Sequence, residues 1–235
     1  MQTIPYENLT YALIPLAFVW YFYAKWTHNK TEIVVATTRM VIQLLLIGYL
    51  LIFIFENKHI YVGMGIITFM IIISSFITMR NSKEKTAQEY FIILSSIAIS
   101  GLVHLVIMTQ FVLDLPSLYE PRFVIPIAGM IFANTMNCIS IAIERFSKEL
   151  VHQESFENAR EASFKAALIP QINSLLAVGL VSLPGMMTGQ ILSGVDPMIA
   201  VRYQIMIMSM ILSNAGIAIV IYFTLKQKVL AYKKS

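Results

Sequence analysis

Charge is what this sequence has least of. Of its 235 residues, 13% are Asp, Glu, Lys or Arg and 57% are hydrophobic, where a soluble domain carries about 25% charged residues. No soluble core could hide that much apolar side chain, and no polar stretch is long enough to build an appended soluble domain. Cysteine is nearly absent, and the single Cys138 excludes an internal disulfide. The N-terminus, Met-Gln-Thr-Ile-Pro-Tyr-Glu, lacks a basic region and a small-residue cleavage site, so no cleavable signal peptide is expected.

The chemical absences are as informative. There is no Gly-x-x-x-x-Gly-Lys-Ser/Thr loop to cradle ATP. Neither His-Glu-x-x-His nor Gly-x-Ser-x-Gly occurs, which weakens the metalloprotease and serine hydrolase readings. No lysine stands in the middle of the last apolar segment, so a retinal Schiff base has no place to form. No carboxylate is obvious at depth, although a proton-coupled carrier usually needs one. Energy for any transport is therefore expected from outside the chain, and no enzyme activity is expected within it.

What is present is a series of apolar runs. Seven can be drawn, over 9–27, 34–55, 60–79, 90–112, 123–143, 166–192 and 198–225. Each reaches the roughly 20 residues that cross about 30 Å of hydrocarbon at 1.5 Å per residue. The expected fold is an all-α, polytopic membrane protein with seven spans, forming one domain over 1–235.

The connections alternate in charge. Residues 25–39, 80–89, 144–165 and the tail from Lys226 hold 14 of the 17 Lys and Arg; Lys58, Arg122 and Arg202 are the remainder. By the positive-inside rule the first set is cytoplasmic, the N-terminus outside and the C-terminus inside. Topology explains the +4 net charge, and no nucleic-acid partner is needed. Residues 144–165 are the largest polar piece. Lacking Gly and Pro, and rich in Glu, Lys, Arg and Ala, they read as helix.

One run is unlike the others. Residues 170–204 are apolar but carry Pro170, Pro184, glycines at 179, 185, 189 and 194, and amides at Gln171, Asn173 and Gln190. Pro184-Gly185 removes a backbone donor, and freed backbone groups in hydrocarbon must be covered by protein or a wet cavity. An inward-facing, broken or bent helix is expected. Asp196-Pro197 reads as a cap followed by proline at the first position of the last helix, and Ser193-Gly194 as the end of the helix before it.

The intramembrane polar residues are few. His104 suits a soft-metal or proton site, and equally a hydrogen bond to a neighbouring helix. Asn134 and Asn137, three apart, share a helix face and fit helix-helix glue or a pathway. Met186 and Met187 beside the break offer thioether sulfur to a soft ion, or are apolar filler. Arg39 stands at the inner end of the second run and fits snorkelling.

Gly179-Leu-Val-Ser-Leu-Pro-Gly-Met-Met-Thr-Gly-Gln190, followed by Gly194-Val-Asp-Pro and Arg202-Tyr-Gln, resembles the FetB family of ABC-transporter membrane subunits. Arg39-Met-Val-Ile-Gln-Leu-Leu-Leu-Ile-Gly48 and Val124-Ile-Pro-Ile-Ala-Gly-Met130 agree, and the likeness covers nearly the whole chain. The resemblance implies the permease of an exporter for iron or another metal ion in the cell membrane. It implies a FetA-like cytosolic ATPase that binds the ATP and Mg, none being held by this chain, and a homodimer of permeases. A nucleotide-sugar permease is the alternative within the ABC class, and a stand-alone carrier or channel the alternative outside it. Gln171, Asn173, Pro184, Gly185, Met186, Met187, Gln190, Asn134 and Asn137 would line the pathway or gate. His104, Met186 and Met187 would be the metal candidates. Within 144–165, Arg145, Glu149, Phe156, Arg160 and Glu161 would couple to the ATPase, with Arg39, Gln43 and Arg202 in structural or coupling roles.

Overall fold

In the computed structural model, residues 4–56 and 59–232 are described. They form helices and no strand. The chain divides into two compact units, residues 1–57 and 58–235.

The first unit begins with one helical turn, α1 (Tyr6–Leu9), and a 3-10 turn over Thr10–Ala12. Next come α2 (Leu13–Thr27) and α3 (Glu32–Glu56). The turn between α2 and α3 is set locally. His28 takes the left-handed conformation at φ 57, and Asn29 Oδ1 accepts from the Thr31 and Glu32 amides at 3.2 Å each, capping α3. Trp20 Nε1 donates to the Lys30 carbonyl at 2.8 Å. Phe18, Phe22 and Trp26 stack along α2 with centroids 4.9 and 5.2 Å apart, i and i+4 neighbours on one helix face.

The second unit is a helical bundle: α4 (Ile60–Met79), α5 (Ala87–Val106), α6 (Pro121–Val151), α7 (Phe156–Ala177), α8 (Gly185–Leu192) and α9 (Pro197–Tyr232). α5 widens into a π-helical turn over Ile107–Val112. α6 is the centre, packing on α4, α5, α7 and α9, while α8 packs on α9. Small side chains let the backbones approach, as membrane helices require. Ala128 and Ala142 of α6 and Ala200, Ala215 and Ala218 of α9 are all fully buried. At Gly101 an added Cβ would lie 2.4 Å from the Phe132 ring, so α5 and α6 meet there only because the residue is glycine. Gly63 makes the same room for Tyr119, whose ring tucks the connection before α6 against α4. Burial raises the Tyr119 phenol above its usual range.

Among the described residues, five helices are long and apolar enough to cross a membrane: Glu32–Glu56, Ile60–Met79, Ala87–Val112, Pro121–Val151 and Pro197–Ala231. Two of the seven drawn segments differ from this. The run 9–27 resolves into α1, the 3-10 turn and α2, whose 15 residues span about 22 Å. The run 166–192 breaks in two, at residues 178–184 between α7 and α8. The polar stretch 144–165 is the end of α6, a short turn and the start of α7. Ser155 caps α7 by accepting from the Asn158 amide at 3.2 Å.

Candidate transport site

The break in α7–α8 comes from the backbone. Gly179 sits at φ 82, a left-handed value that favours glycine. The Ser182 amide returns to the Ala177 carbonyl at 3.2 Å and the Gly179 amide donates to the Ser182 carbonyl at 3.0 Å. Pro184 is the residue before α8, not the point of fracture, and Gly185 is its first residue. The sequence suggests an inward-facing break, but Leu180 and Val181 at its tip are 90% and 84% exposed. The tight turn projects those two side chains outward, so no helix of the bundle covers them. Gly194 at φ 90 closes α8, and Asp196 Oδ1 accepts from the Met198 amide at 2.8 Å to start α9, with Pro197 in its first position.

A polar cavity of about 450 Å³ opens between α4, α6 and α7. α6 lines it with Asn137, Cys138, Ser140 and Glu144, α4 and its end with Arg80 and Asn81, and α7 with Pro170 and Gln171. Asn137, Ile141 and Glu144 recur at helical spacing, which turns one stripe of α6 toward this space. Pro170 has no amide to bond the carbonyl four residues earlier, a local interruption of α7 beside Gln171. Gln171 Nε2 donates to Cys138 Sγ at 3.4 Å, across the α6–α7 seam. Asn137 is exposed to the cavity.

The structure thus brings Asn137 and Gln171 together and sets the other expected pathway residues elsewhere. Asn134 lies one turn along α6 and donates to the Met130 carbonyl at 2.8 Å. Asn173 is exposed on α7. Met186, Met187 and Gln190 are half-buried on α8, and Gln190 Oε1 is buried with no hydrogen-bond partner, as is Gln204 Oε1 on α9.

His104 is buried on α5. Its Nδ1 lies 2.8 Å from the Ser100 carbonyl and its Nε2 3.1 Å from Ser213 Oγ. A carbonyl only accepts, so Nδ1 carries the proton. Among the described residues no three or more His, Cys, Asp or Glu gather into a metal-binding group.

The expected coupling residues cluster at the α6–α7 elbow. Arg145 and Glu149 form an ion pair one turn apart on α6. Phe156 packs against Phe146 and Phe223 with centroids 5.3 and 6.4 Å away, and the Arg160 guanidinium lies 5.9 Å from the Phe156 ring centre. Glu161 bonds Lys165 at 2.6 Å, which holds its carboxyl below the usual range. Arg39 and Gln43 are exposed on α3, and Arg202 is exposed on α9.

Sequence reasoning missed the buried polar residues that join distant helices. Ser100 Oγ donates to Asn214 Oδ1 at 2.7 Å, and Asn214 Nδ2 donates to Thr135 Oγ1, linking α5, α9 and α6. At the basic end of the bundle, Lys226 Nζ donates to Glu89 Oε2 at 2.6 Å and to Glu84 Oε2 at 2.8 Å. Tyr222 donates to Glu89 Oε1 at 2.6 Å. The signal for Glu89 was present but pointed the other way: Thr86-x-x-Glu89 is a capping box. Thr86 Oγ1 does accept from the Glu89 amide, at 3.2 Å. Such a glutamate normally lies at a solvated helix end, whereas this one turns inward.

Taken together, the long apolar helices define a multi-pass membrane protein. Residues 7–230 match the family described as "Uncharacterised protein family (UPF0014)", and the chain belongs to it. It is 29% identical over 209 residues to the "UPF0014 membrane protein YjkA" of Bacillus subtilis, covering 82% of this chain and 81% of that one. It is 29% identical over 207 residues to the "Probable iron export permease protein FetB" of Escherichia coli, covering 82% and 78%. It is 29% identical over 204 residues to "Protein ALUMINUM SENSITIVE 3" of Arabidopsis thaliana, covering 80% and 72%. No solved structure matches the chain.

Proposed function

We propose that the chain is the membrane-spanning subunit of an ABC exporter and moves iron or another metal ion out of the cytoplasm. The observation that carries this reading is the similarity to the "Probable iron export permease protein FetB" across 82% of the chain. The structure supplies fitting parts. The basic connections of the second unit converge at one end, where the positive-inside rule puts the cytoplasm. The α6–α7 elbow lies at that end and offers Arg145, Glu149, Phe156, Arg160 and Glu161 to a cytosolic, FetA-like ATPase. That partner binds ATP and Mg, and two permease chains complete the unit.

Cargo enters from the cytoplasm at the cavity of Asn137 and Gln171, and leaves past Pro184, Gly185, Met186, Met187 and Gln190. At about 450 Å³ the cavity is far larger than a bare ion, which favours an ion carried with its ligands and keeps a nucleotide sugar as the second reading. The test is ATP hydrolysis by the permease reconstituted with its ATPase, in the presence of Fe(II), other divalent metals or a nucleotide sugar. Stimulation by Fe(II) is expected. Stimulation only by the sugar would discard the metal, and the absence of any complex would discard the ABC assignment.

A further inference from the structure

Glu84, Glu89, Tyr222 and Lys226 form a charged cluster that the proposed transport path does not use. Two carboxylates face one ammonium. Glu89 and Lys226 are almost fully buried, with side chains 2% and 6% exposed, whereas Glu84, on the turn between α4 and α5, is 54% exposed. Both oxygens of Glu89 are engaged, one by Tyr222 and one by Lys226. Replacing a buried ion pair by well-packed apolar side chains is often neutral or stabilising, so stability alone does not account for charges at this depth.

Their position does. A cavity of about 150 Å³ adjoins the cluster and is bounded by Phe146, Ser147 and Leu150 near the end of α6. Phe146 also packs against Phe223, with ring centres 5.1 Å apart, and against Phe156 across the elbow. One turn of α9, residues 222–226, thus carries both the aromatic contact with the elbow and the charge contact with α5.

We propose that Lys226, held by Glu89 and Glu84, is a positioning residue that makes α5, the α4–α5 turn and the end of α9 move as one body when the α6–α7 elbow is displaced. This rests on the reading of the chain as an ATP-driven permease. Displacement of Phe146 pushes on Phe223. The ion cluster, with Lys226 bonded to both carboxylates at once, passes that push from α9 to α5.

The test uses the permease co-purified with its ATPase in proteoliposomes, reading Fe(II) moved and ATP hydrolysed in the same sample, with thermal unfolding as a control. For Lys226→Met and Glu89→Gln the Fe(II) moved per ATP should fall about tenfold while hydrolysis continues. The triple variant E84K/E89K/K226E, which inverts all three charges, should recover the ratio. Glu84→Gln, at the exposed arm, leaves no buried charge unpaired and should lower the ratio less. If the Fe(II) moved per ATP is unchanged in these variants, whatever their loss of thermal stability, the cluster is only a structural brace and the proposal is overturned. A wild-type complex that moves no Fe(II) although the ATPase is bound would instead overturn the transport reading, which distinguishes the two failures.

Discussion

Two of the polar regions in the bundle are built in opposite ways. Around Glu89 and Lys226 the polar atoms are spent on one another: three helices' worth of sequence distance is closed by bonds of 2.6 to 2.8 Å. Around Asn137 and Gln171 the polar atoms face a cavity, and the Gln171–Cys138 bond across the seam is a long one of 3.4 Å to sulfur. Low dielectric makes unpaired buried charge costly, so a saturated cluster fixes helix positions. Amides left facing a cavity cost little there and remain available to something that arrives. The difference separates residues that hold the bundle from residues that can exchange partners during transport.

Breaking the saturated region should have the largest effect on stability. Lys226→Met leaves Glu89 buried without its cation and should destabilise the protein by about 3–5 kcal/mol, read as a lowered unfolding midpoint in detergent. Glu89→Leu combined with Lys226→Met should recover much of that loss, because no lone charge then remains. Asn214→Ala removes the side chain that joins Ser100 to Thr135 at the α5–α6–α9 junction, each of which keeps a backbone acceptor, and should cost about 0.5–1.5 kcal/mol, measurable in the same assay. Gly101→Ala forces a methyl group into the Phe132 ring and should cost about 1–3 kcal/mol through overpacking. In the open region, Asn137→Ala and Gln171→Ala should change stability by less than about 0.5 kcal/mol each, while transport falls. A large stability loss there would erase the contrast between the two regions.

Much of the helical plan is legible in the sequence because membrane helices obey local rules. The run 60–79 coincides with α4, and the Ser193-Gly194 and Asp196-Pro197 signals mark the end of α8 and start of α9 as they stand. These depend on neighbours within four residues. What stayed hidden depends on pairing across the chain. Ser100 and Asn214 are 114 residues apart, and nothing near Glu89 announces a lysine 137 residues away. The break before α8 was foreseen from Pro184-Gly185, but its place at 178–184 follows from the left-handed Gly179 and its hydrogen-bonded turn. Of the expected site residues, the helical spacing of Asn134 and Asn137 gives a shared face, yet only tertiary packing brings Asn137 to Gln171.

The most direct measurement is Fe(II) transport by the reconstituted complex carrying Asn137→Ala with Gln171→Ala, alongside its unfolding midpoint. If the open cavity is where cargo is met, transport falls by about tenfold or more while the midpoint stays at the wild-type value. Undiminished transport at an unchanged midpoint would contradict that placement and leave the cavity as a mere gap between helices.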